Sequence, residues 1–155
     1  MNPPKSVETA LPSTVAWWKN PGVIYFIAAG EPPIAIKIGM AAITEKNNRN
    51  LTNTIVRRLS KIQSSNHERI RLLGVIHFTH ETYGPYPTRE AEAKERELHN
   101  EFKSHCRFAA YTCGAEWFNP VPELLARIEE VATKPEALQL PSYFSSVAEN
   151  GVECP

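Results

Sequence analysis

Residues 22–39, Gly-Val-Ile-Tyr-Phe-Ile-Ala-Ala-Gly-Glu-Pro-Pro-Ile-Ala-Ile-Lys-Ile-Gly, constrain the fold more than any other stretch of the chain. Two short runs of β-branched and aromatic residues flank Gly30-Glu31-Pro32-Pro33, a cluster that forces a turn. In the second run Ile34, Ile36 and Ile38 alternate with Ala35, Lys37 and Gly39, the two-residue period of a pleated strand. The stretch predicts an antiparallel hairpin, with Tyr25 on one strand and Lys37-Ile38-Gly39 closing the other.

Downstream the period changes. Thr52 or Asn53 is a candidate cap for a helix to about Ser64, with Ile55, Val56, Leu59 and Ile62 as its apolar stripe. Arg57 and Lys61 point away from that stripe, and Arg58, about a right angle from its centre, emerges at the core's edge. Arg71–Phe78 predicts a third strand, and a loop with Gly84, Pro85 and Pro87 follows. The next helix starts at Pro87-Thr88, with Thr88 as its candidate cap. Its polar row is Glu90, Lys94, Glu97 and Glu101, and its buried stripe is Ala91, Leu98 and Phe102. The position completing the buried stripe is Glu95. A carboxylate on the buried side of a helix is costly unless paired, hydrogen-bonded or bound to a metal. The last helix begins near Pro122 and buries Leu124, Leu125, Ile128 and Val131. The pattern predicts an α+β domain, a small three-stranded antiparallel sheet flanked by helices. Residues 1–21 read as a mostly irregular arm, 22–133 as the domain, and 134–155 as a Pro-containing tail that is either disordered or strapped across the domain. In the arm, Trp17-Trp18 reads as core cover or as a stacking surface for bases.

At 155 residues the chain suffices for one domain with a real core. No apolar run reaches membrane-spanning length and no signal-peptide pattern opens the chain, so a soluble, cytoplasmic protein with no membrane partner is expected. Three cysteines, Cys106, Cys113 and Cys154, form no disulfide framework. Formal net charge is zero, yet residues 37–71 hold eight Lys/Arg against two Glu, a balance of +6, and residues 72–155 hold seven against thirteen, a balance of −6. Such polarity either holds a basic face toward a polyanion or is neutralised when the halves pair. Aspartate is absent altogether, which excludes EF-hand calcium loops and kinase-type phosphoryl transfer and leaves any carboxylate chemistry to Glu. His99, His105, Cys106 and Cys113 are available zinc ligands, but no CxxC knuckle joins them.

Several of these residues fall in an order that resembles the GIY-YIG nuclease superfamily, specifically its T5orf172/Mug113-type branch. The first motif is Val23-Ile24-Tyr25. The second is Lys37-Ile38-Gly39, with lysine where the parent motif has tyrosine, as the branch has it. The helical arginine corresponds to Arg58 and the metal-binding glutamate to Glu95. The branch's glutamate-tryptophan-phenylalanine signature corresponds to Glu116-Trp117-Phe118, and its late asparagine to Asn119. The resemblance covers residues 22–131. It implies phosphodiester hydrolysis in nucleic acid, DNA being the expected partner, with Mg²⁺ or Mn²⁺ at Glu95. The catalytic set it implies is Tyr25, Lys37, Arg58, Glu95 and His99. Tyr25 would take the proton of the attacking water. A phenol titrating near 10 needs about 4 kcal/mol of help to do so at pH 7. Arg58 would neutralise phosphoryl charge, and His99 would hydrogen-bond Glu95 or relay protons. The basic face for nucleic acid is Lys37, Lys46, Arg49, Arg57, Arg58 and Lys61. Against this stand plainer roles: Tyr25 as a strand aromatic, Arg58 with Glu95 as a structural ion pair, and Glu116 and His99 as framework. A non-catalytic nucleic-acid-binding module on the same fold is the alternative, and oligomeric state is not legible.

Overall fold

A computed structural model describes residues 6–107 and 116–144. Cys113 and Cys154, and the tail beyond residue 144, lie outside the described residues. The architecture is α+β, and its sheet has four strands rather than three, in the order β3-β1-β2-β4. Strands β1 (Gly22–Ala29) and β2 (Ala35–Ala42) form the expected hairpin, with Tyr25 opposite Gly39 and Ile27 opposite Lys37. Ile34, read as part of the strand, precedes it and is exposed. On the other side β1 pairs antiparallel with β3 (Ile70–Phe78), and a register shift opposite Phe26 and Ile27 leaves Leu73 without a partner. The fourth strand, β4 (Trp117–Phe118), pairs with β2 through Lys37–Trp117 and Ile36–Phe118. Two residues carry no period, so nothing in the sequence announces this strand.

Being central, β1 is buried along its whole length and serves both faces. Val23, Tyr25 and Ile27 pack with Ile55 and Leu59 of α2 (Leu51–Ser64). Ile24 and Phe26 pack with Ala91 and Leu98 of α4 (Pro87–Glu101) and with Leu124 and Ile128 of α5 (Pro122–Val131). At about 2 kcal/mol for each fully buried large aliphatic side chain, these two faces supply most of the driving force.

Local chemistry corrects several boundaries. Helix α2 is capped by Asn50, whose side chain accepts from Asn53 N–H, so the helix starts earlier than Thr52 or Asn53 would place it. Val56 stands at the surface side of the α2 stripe and is half-buried. Thr88 is no cap: it is fully buried, and its hydroxyl donates to the Asn20 carbonyl at 2.7 Å. The arm holds a seven-residue helix, α1 (Pro12–Trp18), and a short helix, α3 (His80–Tyr83), interrupts the loop after β3. Residues 134–144 strap across the domain. Pro135–Leu138 makes a 3-10 turn, Leu140 joins the core under α2, and Leu72 N–H donates to the Ser142 carbonyl at 2.6 Å. Among the described residues no helix is long and apolar enough to cross a membrane.

Candidate active site and cationic groove

The site begins with a missing side chain. A Cβ on Gly39 would lie 2.5 Å from Cζ and Oη of Tyr25, so the Tyr25 ring lies directly against the β2 backbone at this position. Only glycine leaves that space. The ring is 3 % exposed. Burial pushes the phenol up to about 12; Arg58 pulls it down, and Glu116 and Glu95 push it further up.

Glu95 occupies the predicted place in the α4 stripe, four residues after Ala91 and three before Leu98, both fully buried. It is half-buried, and it takes part in none of the ion pairs of the described residues. The Arg58–Glu95 ion pair of the plainer reading is not found among the ion pairs of the described residues. Burial raises its carboxyl to about 7. Glu116 adds to that shift and Lys37 opposes it, with smaller effects from Glu92 (raising) and Arg96 (lowering).

Lys37 stands two residues before Gly39 on β2. Its Nζ donates to Glu116 Oε2 at 2.5 Å and lies 5.6 Å from the centre of the Trp117 ring. The β2–β4 pairing fixes this contact, since Ile38 N–H donates to the Glu116 carbonyl. Glu116 is therefore part of the site, though read from sequence as framework. The signal was its position one residue before the Trp-Phe pair that becomes β4. His99 takes the opposite course. Its Nε2 donates to the Ile38 carbonyl at 2.8 Å, and its ring meets Phe118 edge-on at 5.3 Å. A carbonyl only accepts, so Nε2 carries the proton. His99 pins α4 to β2 through that nitrogen and does not bond Glu95.

The six residues expected to form the basic face separate. Lys46, Arg57, Arg58 and Lys61 line a groove of about 730 Å³ between α2 and the segment after β2, closed at one side by Trp17. Among the described residues no carboxylate lines it. None of the four cations has an ion-pair partner among the described residues, and Arg57 is aimed by bonds to the Lys46 carbonyl and Asn47 Oδ1. Lys37 and Arg49 are neutralised instead, Lys37 by Glu116 and Arg49 by Glu45 at 2.9 Å. Arg58 alone belongs to the groove and also acts on Tyr25.

The donor set discriminates among metals. No group of three or more His, Cys, Asp or Glu side chains clusters among the described residues, which leaves no closed zinc site there. A hydrated Mg²⁺ or Mn²⁺ needs only one or two carboxylates, and an unpartnered Glu95 beside Glu116 suits it. No protein-family model, curated protein or solved structure matches this chain.

Proposed function

We propose that this protein is a divalent-metal-dependent endonuclease of GIY-YIG type, acting in the cytoplasm on phosphodiester bonds of nucleic acid, DNA above all. The observation that carries the reading is Glu95: a carboxylate in an apolar helix stripe, in no ion pair among the described residues, whose charge is felt by Tyr25 and which itself feels Glu116 and Lys37. Glu95 would hold Mg²⁺ or Mn²⁺, with Glu116 close enough to share the charge. Bound there, the ion would lower the cost of ionising water and neutralise phosphoryl oxygen charge.

The chain's own residues divide the remaining work. Arg58 faces both the groove and Tyr25, so it would hold a phosphate of the bound strand while lowering the phenol. Tyr25 at about 12 lies some five units above pH 7, about 7 kcal/mol short of a base in the free protein. It is therefore a proton donor or water-orienting hydroxyl until added positive charge moves it. Lys37, held by Glu116, would reach phosphate only by exchanging that partner. His99 positions α4 and would take no proton from the substrate at Nε2.

One observation favours a second reading. The groove gathers its four cations without help from Glu95 or Tyr25, so a non-catalytic nucleic-acid-binding module would need nothing more. Incubation with supercoiled plasmid in Mg²⁺ or Mn²⁺, beside an EDTA control, separates the two. Nicking that EDTA abolishes supports the nuclease, and binding without nicking leaves the module.

A further inference from the structure

The adjacent tryptophans of the N-terminal arm have opposite fates. Trp18 is 4 % exposed, its indole N–H donates to Glu92 Oε1 at 2.5 Å, and Arg89 covers its ring at 5.4 Å. It anchors α1 to α4. Trp17 is 38 % exposed, its indole N–H has no partner among the described residues, and the residue lines the cationic groove. A large aromatic surface left in water is costly unless something covers it. Its support is firm. The Asn20 carbonyl, just past α1, receives both the backbone N–H and the hydroxyl of Thr88, and the Pro21 carbonyl receives Ile43 N–H at 2.8 Å. The backbone that carries the ring is thereby tied to α4 and to the end of β2, so a ligand that stacks on Trp17 has less chain to order.

From this juxtaposition we infer that the groove takes a single-stranded segment of nucleic acid, one unpaired base stacking on Trp17 while Arg57, Arg58 and Lys61 hold the flanking phosphates. It rests on the reading of this site as one for nucleic acid, and it adds the strand state of the substrate. Charge complementarity selects a polyanion, since among the described residues four cations and no carboxylate line the groove. The aromatic wall selects an unpaired strand. Within a duplex each base face is covered by its neighbours, whereas an unpaired base offers its face to an indole without regard to sequence.

Fluorescence anisotropy with labelled oligothymidylate and with a blunt duplex, both in EDTA, tests the inference. Trp17→Ala should weaken oligothymidylate binding roughly 5- to 100-fold, the range for losing one stacked base, and leave the duplex within about twofold. Trp17→Phe, which keeps a stacking ring and guards against a folding artefact, should retain most of the affinity. Oligothymidylate should quench tryptophan fluorescence in the wild type and much less in Trp17→Phe. Equal loss on both ligands, or no loss on either, overturns the inference while leaving a nucleic-acid groove in place. A wild type that binds neither ligand sinks the nucleic-acid reading, and the inference with it.

Discussion

Replacing Glu95 by Gln tests the site through thermodynamics before any substrate is added. In the unfolded chain the carboxyl titrates near 4.5, and in the fold burial lifts it to about 7. The native state therefore binds more protons than the unfolded state between these values, and stability falls as pH rises through that window. Some 2.5 units correspond to at most about 3 kcal/mol lost by pH 8, less whatever water penetration returns. Gln keeps the shape and removes the anion. At pH 8 without metal the variant should melt higher than the wild type, by up to roughly 6–12 °C for a chain of this size, and near pH 4.5 the two should melt together. Mn²⁺ should raise the wild-type melting temperature and leave the variant's unchanged, and plasmid nicking should disappear. Melting curves from pH 4.5 to 8, with and without Mn²⁺, give all three readings. If Glu95→Gln is instead several kcal/mol less stable at pH 8 and the wild type ignores Mn²⁺, Glu95 is a structural anion with a cation partner, and the metal assignment falls.

Three further outcomes follow from the same geometry. With four cations on the phosphates, log affinity for duplex DNA should fall against log salt with a slope of about −3 to −4; a flat anisotropy series would refute the groove. Lys37→Met should change stability by less than about 1 kcal/mol, because its partner Glu116 is half exposed, yet cut nicking by about a hundredfold; the reverse pattern would make Lys37 structural. Gly39→Ala puts a methyl 2.5 Å from the Tyr25 ring and should cost about 1–3 kcal/mol in chemical denaturation, with much of it recovered when Tyr25→Ala is added; an unharmed single variant would show that the ring is not packed there.

What the sequence made legible is what its periods encode. The alternation of Ile36 and Ile38 with Lys37 and Gly39 gave β2 and its two faces, and Pro122 with Leu124 and Ile128 gave α5. Elements too short to hold a period did not show: α1, α3 and the two residues of β4. Caps failed where tertiary bonds outcompeted local ones. Thr88 spends its hydroxyl on Asn20, and Asn50, lost in a polar run, does the capping. Within the site, Glu95 was legible because an acid in an apolar stripe is an anomaly on one helix. Glu116 was legible only as the first residue of the Glu-Trp-Phe run, and its contact with Lys37 was not, because that lies in the pairing of β4 with β2, a long-range contact that no local period carries. The same holds for His99, whose neighbour is a strand carbonyl and not the residue one turn away.

A neutral chain with a +6 segment and a −6 segment leaves two outcomes open, mutual neutralisation or a persistent field. The ion pairs decide between them. Among the described residues only Lys37–Glu116 joins the basic segment to the acidic one. Arg49 pairs with Glu45 inside the basic segment, and Lys94, Arg127 and Lys134 take their acidic partners inside the acidic one, where Arg127 alone meets Glu97, Glu101 and Glu130. The two segments thus balance in the sum and not in space. Lys46, Arg57, Arg58 and Lys61 keep their field, and a partly screened cluster of this size attracts a polyanion over about one Debye length, near 8 Å at physiological salt. The single cross-segment pair falls at Lys37, beside Tyr25 and Glu95. Among the described residues, the one place where the halves pair is therefore the place proposed for an added cation, which would compete with Lys37 for Glu116 and release the lysine toward the strand.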